Sequence, residues 1–368
     1  MRPTWYEIDL RKVRRNVELL RSLAGDSLFC AVVKADAYGH GSVPIARTAV
    51  EAGAQWLAVA LIEEAVELRA GGLEVPILLL SEPRPDEMVE VAAVTGLRPT
   101  LYTPLGIDAC AASAPGLSVH LKVDTGMHRV GTETADATSL VRRALDAGLV
   151  LEGIYTHFAV ADKPYDPFTE QQIRRFDLVL EELASAGVEP EIVHLSNTAG
   201  LLTRPDLSRS MVRVGVGVYG VSPSPELSPV CEDFGLTPIG HLRSEVTRTH
   251  VVPAGESVSY GRQWLADRPT FIATVPVGYG DGIPRGWWKK GDVLVRGQRR
   301  PIRGVITMDH LMVEVDIDVD IGDEVVLIGF QGSETLTAEE IAIATDTISY
   351  EILTSIGNRV SRRHRSNV

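Results

Sequence analysis

The chain has 368 residues with 36 basic and 49 acidic side chains, which gives a formal net charge of −13. An acidic surface repels phosphate backbones and anionic lipids, so we expect a small-molecule partner rather than a nucleic acid or a membrane. The N-terminus has no signal-peptide pattern and no apolar run is long enough to span a bilayer, so we expect a cytoplasmic protein. The three cysteines are Cys30, Cys110 and Cys231. Their odd number and wide spacing predict reduced, partly buried thiols, and no metal site.

Eight apolar runs follow one another up to about residue 220, separated by helix-like stretches, at a spacing of roughly twenty to thirty-five residues. They predict strands at Phe29–Val33, Trp56–Ala60, Val75–Leu80, Leu97–Tyr102, Val119–Val123, Leu151–Thr156, Ile192–Leu195 and Val212–Tyr219. One intervening helix places Ile173, Phe176, Leu180 and Leu183 on a single face. Strands that alternate with helices in this way predict a (β/α)8 TIM-type barrel, whose functional site lies where the strands end.

The pattern changes after about residue 236 to short alternating strands with turn signals. Examples are Phe271–Val277, Val293–Gly297, Leu311–Val315 and Val325–Ile328. They predict a mainly antiparallel β domain. We place the linker in the Pro-, Ser- and Glu-rich stretch from Val221 to Asp233, or just after it. The predicted domains are therefore an α/β barrel over residues 1–236 and a β domain over residues 237–368, with residues 1–9 as candidates to pair with the β domain.

Lys34 closes the first apolar run and is followed by Tyr38, Gly39, His40 and Gly41. Desolvation at the end of a buried strand lowers the pKa of a lysine, and the neutral amine is suited to Schiff-base chemistry. A lone lysine at this position would more often extend from the strand end to solvent. Here, however, two polar side chains stand nearby and two glycines allow the backbone to approach a ligand closely. Lys34 is therefore a candidate catalytic residue.

Further polar motifs follow later strands. They run from Leu121 to Gly131, Thr156 to Ala159, His194 to Ala199, Val212 to Gly220, Val258 to Gly261, Val277 to Gly282 and Thr307 to His310. Each motif alone has an ordinary structural explanation, such as a helix cap, a hydrogen-bonded core histidine or a glycine turn. Their recurrence at strand ends favours a shared site.

Together these motifs resemble those of the alanine racemases, a family of pyridoxal-phosphate enzymes, from residue 34 to residue 350. The resemblance implies that Lys34 binds pyridoxal 5′-phosphate and acts as one catalytic base, and that Tyr260 acts as the other. The other cofactor-binding residues that it implies are Tyr38, Thr198, Gly215, Val216 and Tyr350 at the phosphate, Arg213 at the pyridine nitrogen, and His157 between Arg213 and Tyr260. The chain departs from the usual family pattern at Thr198, which keeps the hydroxyl, and at Val214, where proline is common.

The resemblance also implies residues that contact the substrate. Arg129 would bind the cofactor phenolate and the substrate carboxylate, and carbamylation of Lys122 would hold that arginine in place. The backbone of Met308 would contact the substrate carboxylate. Asp309 would shape the mouth of the pocket, and Tyr279 would line the entrance.

Arg213 bears on the type of reaction. An arginine stays protonated, so a ring nitrogen opposite it stays unprotonated and is a weaker electron sink than one beside a carboxylate. Rapid return of the α-proton then favours racemisation over transamination or decarboxylation. The implied activity is interconversion of L-alanine and D-alanine, which supplies D-alanine for peptidoglycan. The resemblance also implies a homodimer in which Tyr260 comes from the partner subunit.

Three alternatives remain at this point. A serine or broad-specificity racemase is one, because a pocket wall rejects an added hydroxyl only weakly. A barrel-type amino-acid decarboxylase is another, but it would need an acidic residue where Arg213 stands. A non-catalytic pyridoxal-phosphate carrier built on the same barrel would lack the second domain. Rates over a panel of L-amino acids would distinguish between these functions.

Overall fold

A computed structural model describes residues 2–366, which form two compact units. The first, here the barrel unit, consists of Lys12–Ala37 and Ser42–Thr237. The second, here the β unit, consists of the described residues up to Arg11, of Tyr38–Gly41, and of the described residues from Pro238 onward. Tyr38–Gly41, which begin inside the segment Lys34–Gly39, thus belong to the β unit although the residues on both sides belong to the barrel unit.

Eight parallel strands form the core of the barrel unit. In chain order they are Leu28–Val32, Trp56–Val59, Ile77–Leu79, Leu97–Leu101, Ser118–Asp124, Val150–Tyr155, Ile192–His194 and Met211–Val214. Strands one to seven pair in chain order, and the eighth pairs with the first. Two backbone hydrogen bonds of 3.0 Å, from Ser210 to Val193 and from Arg213 to Ser196, link the seventh and eighth strands and nearly close the barrel. The predicted barrel is therefore confirmed.

Helices follow the strands, as expected for a βα barrel. The α-helices are Leu10–Ala24, Lys34–Gly39, Ser42–Glu51, Ile62–Ala70, Met88–Ala93, Pro104–Ser113, Ala137–Asp146, Phe168–Ser185, Thr198–Thr203 and Ser228–Asp233. Short 3-10 turns lie at Pro85–Glu87, Thr134–Asp136, Pro205–Leu207, Val216–Tyr219 and Pro225–Leu227, and a two-residue strand lies at Thr132–Glu133. The predicted amphipathic helix is Phe168–Ser185, which buries Ile173, Phe176 and Leu183.

The eighth predicted strand is wrong in its second half. The strand ends at Val214, and Val216–Tyr219 is a 3-10 turn. The backbone N–H groups of Gly215 and Gly217 donate to the Thr198 hydroxyl at 3.1 and 3.4 Å, so they do not take part in a strand ladder. A run of apolar residues that is buried on every side does not distinguish a strand from a turn.

The β unit contains a seven-stranded sheet, a three-stranded sheet and a two-stranded ribbon. Its strands are Thr4–Asp9, Gly240–Glu245, Arg248–Val252, Ser257–Val258, Trp264–Leu265, Thr270–Val275, Asp292–Val295, Gln298–Pro301, Leu311–Glu314, Glu324–Gln331, Glu334–Leu336 and Ser361–Arg365. Its helical segments are Tyr260–Arg262, Tyr279–Asp281, Arg285–Lys289, Ala338–Thr345 and Ser349–Thr354. The first strand lies antiparallel to Gly240–Glu245 and parallel to Ser361–Arg365. The other pairs are antiparallel, as predicted.

Two further predictions concern cysteines and membranes. Cys30, Cys110 and Cys231 are all buried, more fully than predicted, and form no disulfide within the described chain. Burial raises the pKa of the Cys30 thiol to about 12, so this thiol is unreactive near neutral pH. Between residues 2 and 366, no helix combines the length and the apolar composition that a membrane crossing requires.

The barrel interior is tightly packed at Gly153, in the sixth strand. A Cβ at this position would lie 2.5 Å from the ring of His120, which is fully buried. We expect Gly153→Ala to destabilise the protein by about 1–3 kcal/mol through overpacking. Gly286→Ala is the control, because a Cβ there meets no atom within 4 Å. Thermal unfolding measures the difference, and equal midpoints for the two variants would contradict the packing argument.

Candidate active site

The short helical segment Lys34–Gly39, which begins at Lys34, is a left-handed turn. The φ angles from Ala35 to Tyr38 are between +51° and +54°, and φ of Gly39 is +81°. Side chains with a Cβ resist this conformation by roughly 1–2 kcal/mol per residue, and such strain is concentrated at functional sites. The carboxylate of Glu64 stabilises the start of the turn, because it accepts the backbone N–H of Ala35 at 2.6 Å.

The amine of Lys34 is half-buried at the mouth of the barrel. Burial, together with the positive charge of Arg129, lowers the pKa of Lys34, while Glu64 opposes the shift. A lowered pKa leaves a larger fraction of the amine neutral, as a nucleophile or base requires. The structure therefore gives Lys34 the electrostatic character that its sequence position predicts.

Lys122 is a second lysine with an altered charge. It is buried in the fifth barrel strand, and its Nζ lies 5.4 Å from the centre of the Tyr155 ring. Burial first, then the charges of Arg213 and Arg129, lowers the pKa of Lys122 to about 7. Much of this amine is therefore neutral at physiological pH.

Arg213 is buried in the eighth barrel strand among hydrogen-bond acceptors. Its Nη1 donates to Nδ1 of His194 at 2.8 Å. Its Nη2 donates to the carbonyl oxygens of Thr156 and Leu195 at 2.9 and 3.1 Å. The guanidinium carbon lies 4.9 Å from the centre of the Tyr155 ring. These contacts fix the guanidinium in one orientation within the barrel.

His157 follows the sixth barrel strand, and its Nδ1 lies 3.3 Å from Nη2 of Arg213. Burial, followed by the charges of Arg213 and Lys122, lowers the pKa of His157 well below its usual value. The imidazole is therefore neutral. Because a guanidinium only donates, Nδ1 of His157 accepts and Nε2 carries the hydrogen. The predicted neighbours His157 and Arg213 are thus in contact.

Thr198, Gly215 and Val216 come together where the seventh and eighth strands end. The Thr198 hydroxyl accepts the N–H of Gly215, and Val216 begins the following 3-10 turn. A Cβ on Gly217 would lie 2.8 Å from Cγ2 of Thr198, so only glycine fits beside this hydroxyl. The Thr198 hydroxyl, which keeps its own O–H as a donor, thus lies beside the tightly packed backbone of Gly215 and Val216 at this end of the barrel.

Other predicted residues lie in the β unit. The rings of Tyr38 and Tyr350 are 6.0 Å apart, and burial raises the pKa of Tyr38 to about 12, so its phenol stays protonated. Tyr260, Met308 and Tyr279 have exposed side chains. His40 has a structural role that the sequence did not reveal, because its Nε2 lies 2.8 Å from the phenol oxygen of Tyr6.

The loops that carry Tyr279 and Met308 are joined within the β unit. The N–H of Tyr279 donates to the carbonyl of Thr307 at 3.0 Å, and the N–H of Gly280 donates to that of Met308 at 2.9 Å. Asp309 is bound by Arg359 at 2.5 Å, an interaction that lowers the pKa of this carboxyl. The predicted entrance residues therefore form one connected assembly.

Three residues in a line of contacts that begins at Arg213 were not identified as functional by the sequence. His194, His120 and Glu152 lie in barrel strands and continue the contacts of Arg213 into the interior. The only sequence signal is that the fifth and seventh barrel strands each contain a histidine. Such histidines are usually satisfied core residues, and their mutual contact depends on strand register.

The two units correspond in sequence to known domains. The family model described as alanine racemase, N-terminal domain, matches residues 8–223, and the one described as alanine racemase, C-terminal domain, matches residues 239–364. The alanine racemase of Symbiobacterium thermophilum is 45% identical and covers 98% of this chain and 97% of its own length. The chain belongs to the alanine racemase family.

Solved alanine racemases have the same fold. The crystal structure of the enzyme from D-cycloserine-producing Streptomyces lavendulae matches with a TM-score of 0.93 at 39% identity, over 100% of this chain and 98% of that one. The crystal structure of the Bacillus anthracis enzyme with bound L-Ala-P matches with a TM-score of 0.92 at 36% identity, over 100% of this chain and 96% of that one. The resemblance seen in the motifs is therefore confirmed along the whole alanine racemase chain.

Proposed function

We propose that this protein interconverts L-alanine and D-alanine with pyridoxal 5′-phosphate held by Lys34. The observation that carries the proposal is a lysine of lowered pKa on the same barrel end as a buried arginine, Arg213, within a chain of the alanine racemase family. Pyridoxal phosphate, when bound, would withdraw electrons from the amino acid and make its α-C–H acidic.

The residues present fit this cofactor. N–H and O–H donors suit a phosphate group, and the residues proposed to bind it are Tyr38, Thr198, Gly215, Val216 and Tyr350. The protonated phenol of Tyr38 is a donor of the required kind. Arg213 would donate to the pyridine nitrogen, and the permanent charge of the guanidinium would keep that nitrogen unprotonated.

Racemisation needs a base on each face of the α-carbon. Lys34 would take the proton of the D-isomer and Tyr260 that of the L-isomer, and the opposite residue would return a proton to the other face. His157, held by Arg213, would offer its Nε2–H to the Tyr260 oxygen and, with the charge of Arg213 behind it, favour loss of the phenol proton. Arg129 and the backbone of Met308 would bind the substrate carboxylate, and Asp309 would shape the mouth of the substrate pocket.

Several broader assignments belong to the same proposal. They are a barrel domain over residues 1–236, a β domain over residues 237–368, a cytoplasmic homodimer with shared sites, and supply of D-alanine for peptidoglycan. A serine or broad-specificity racemase is the second candidate. The arginine at position 213 argues against a decarboxylase, which would need an acidic residue there.

The proposed activity is tested by following D-alanine formation from L-alanine, with L-serine and other L-amino acids in parallel. We expect alanine to be the best substrate. Lys34→Ala should lower kcat by at least about 100-fold, because both a cofactor anchor and a base are lost. Lys290→Ala, which alters an exposed lysine, should keep full activity. Borohydride fixation of the cofactor to a lysine other than Lys34 would contradict the assignment.

The lowered pKa of Lys122 predicts that this amine reacts with carbon dioxide. A neutral amine adds CO2 to form a carbamate and releases one proton, so occupancy should rise between about pH 6 and pH 8 as the amine loses its proton. The 13C NMR signal of the carbamate, in protein equilibrated with labelled bicarbonate, measures this occupancy. Lys122→Arg should lack the signal. A signal that persists in the variant, or none at about pH 8, would rule out carbamylation of Lys122.

The shared site is tested by mixing two inactive variants, Lys34→Ala and Tyr260→Phe, after dissociation. If each site combines residues of both subunits, a heterodimer has one intact site and one doubly mutated site. Half of the dimers are then heterodimers, and mixing restores about a quarter of wild-type activity. If both residues come from one chain, mixing restores nothing. Mass spectrometry of the mixture verifies that subunits have exchanged.

A further inference from the structure

A line of buried polar side chains extends from Arg213 into the barrel. Nη1 of Arg213 donates to Nδ1 of His194 at 2.8 Å, and Nε2 of His194 lies 2.9 Å from Nδ1 of His120. Nε2 of His120 lies 3.6 Å from a carboxylate oxygen of Glu152. The same oxygen of Glu152 accepts from Nε of Arg98 at 2.6 Å. We call this line the histidine relay.

The relay has only one self-consistent arrangement of hydrogens. The guanidinium of Arg213 can only donate, so Nδ1 of His194 must accept. A neutral His194 then carries its hydrogen on Nε2 and donates it to Nδ1 of His120. A neutral His120 likewise carries its hydrogen on Nε2, which faces Glu152. The last hydrogen in the relay therefore needs an acceptor at the Glu152 position.

The charges of the relay agree with this arrangement. Burial is the main cause that lowers the pKa of both His120 and His194, so both imidazoles are neutral. Burial alone would raise the pKa of Glu152, but His120 and Arg98 outweigh it and bring the pKa to about 2. The far end of the relay is thus a permanent carboxylate, which accepts and never donates.

The rings of the relay cannot easily turn to another arrangement. Tyr155 stacks on His194 at 4.5 Å with an angle of 17° between the rings. The ring of Trp56 packs edge-on against His120 at 5.4 Å, and Gly153 leaves no room for a Cβ beside that ring. Within the described residues, no acceptor lies within hydrogen-bond distance of Nε2 of His120, and the acceptor that faces it is the Glu152 carboxylate at 3.6 Å, just beyond that distance.

We propose that His194, His120 and Glu152 are positioning residues that hold Arg213 as a fixed hydrogen-bond donor, a role that rests on the proposed racemase function. Without an acceptor beyond His120, the hydrogen on Nε2 of His120 would move to Nδ1 of the same ring. It would then face the hydrogen on Nε2 of His194, which would move in turn to Nδ1 of His194. A hydrogen on Nδ1 of His194 would face an N–H of Arg213. Two donors would then oppose each other, and the guanidinium would shift.

Glu152→Leu and Glu152→Gln form a matched pair. Both remove the charge that binds Arg98, but only glutamine keeps an oxygen that can accept from His120. A purely structural role of the ion pair would therefore affect both variants alike. The proposal predicts that they differ, because only leucine ends the relay without an acceptor.

The first measurement is the 15N NMR spectrum of the histidine rings in the full-length protein. In the wild type, His120 and His194 should both carry the hydrogen on Nε2, and Glu152→Gln should preserve this pattern. Glu152→Leu should disturb it. A hydrogen on Nδ1 of either ring in the wild type would overturn the proposal. This result needs no racemase activity, so it separates failure of the relay from failure of the proposed function.

The second measurement is the rate of racemisation. Glu152→Leu should lower kcat by about tenfold to 100-fold with little change in KM, because Arg213 acts on the cofactor rather than on substrate binding. Glu152→Gln should stay close to the wild type. If Glu152→Leu does not fold, His120→Phe interrupts the relay with a ring of similar size and should lower kcat in the same way. Equal kcat values for the leucine and glutamine variants, or an unchanged kcat in His120→Phe, would overturn the proposal.

Discussion

The burial of one guanidinium, that of Arg213, organises the catalytic end of this barrel. Transfer of a charge from water into a protein interior costs several kcal/mol unless hydrogen bonds replace the lost hydration. Two carbonyl oxygens and two histidine nitrogens provide that replacement. Because arginine stays protonated, each partner must accept, and this requirement sets the tautomers of His157 and His194. The positive charge also helps to lower the pKa of Lys122.

The strain at Lys34 and the burial of Arg213 have a common consequence. The left-handed turn restricts the position of Lys34, and the hydrogen bonds of the buried guanidinium restrict the position of Arg213. The left-handed turn after the first strand and the buried charge in the eighth strand each cost free energy. The tightly packed barrel interior compensates for them. A site that is ordered before the substrate arrives loses less free energy on binding.

Much of the fold could be predicted from the sequence, but the site only in part. Apolar runs located all eight barrel strands, and polar motifs near strand ends predicted the contact between His157 and Arg213 and the lowered pKa of Lys34. The run from Val212 to Tyr219 was extended too far, because apolar composition does not reveal that Thr198 captures the N–H groups of Gly215 and Gly217. The left-handed turn and the histidine relay depend on tertiary contacts between residues far apart in sequence. No local pattern encodes such contacts.

The central claim is that a permanent donor at position 213 keeps the reaction on the path of racemisation. Arg213→Glu replaces the donor by an acceptor, whereas Arg213→Lys keeps a cation. The decisive measurement is the amount of pyruvate released for each D-alanine formed from L-alanine, which reports how often the amino group is lost to the cofactor. We predict a higher ratio for the glutamate variant than for the lysine variant and the wild type. Equal ratios in all three proteins would contradict the account.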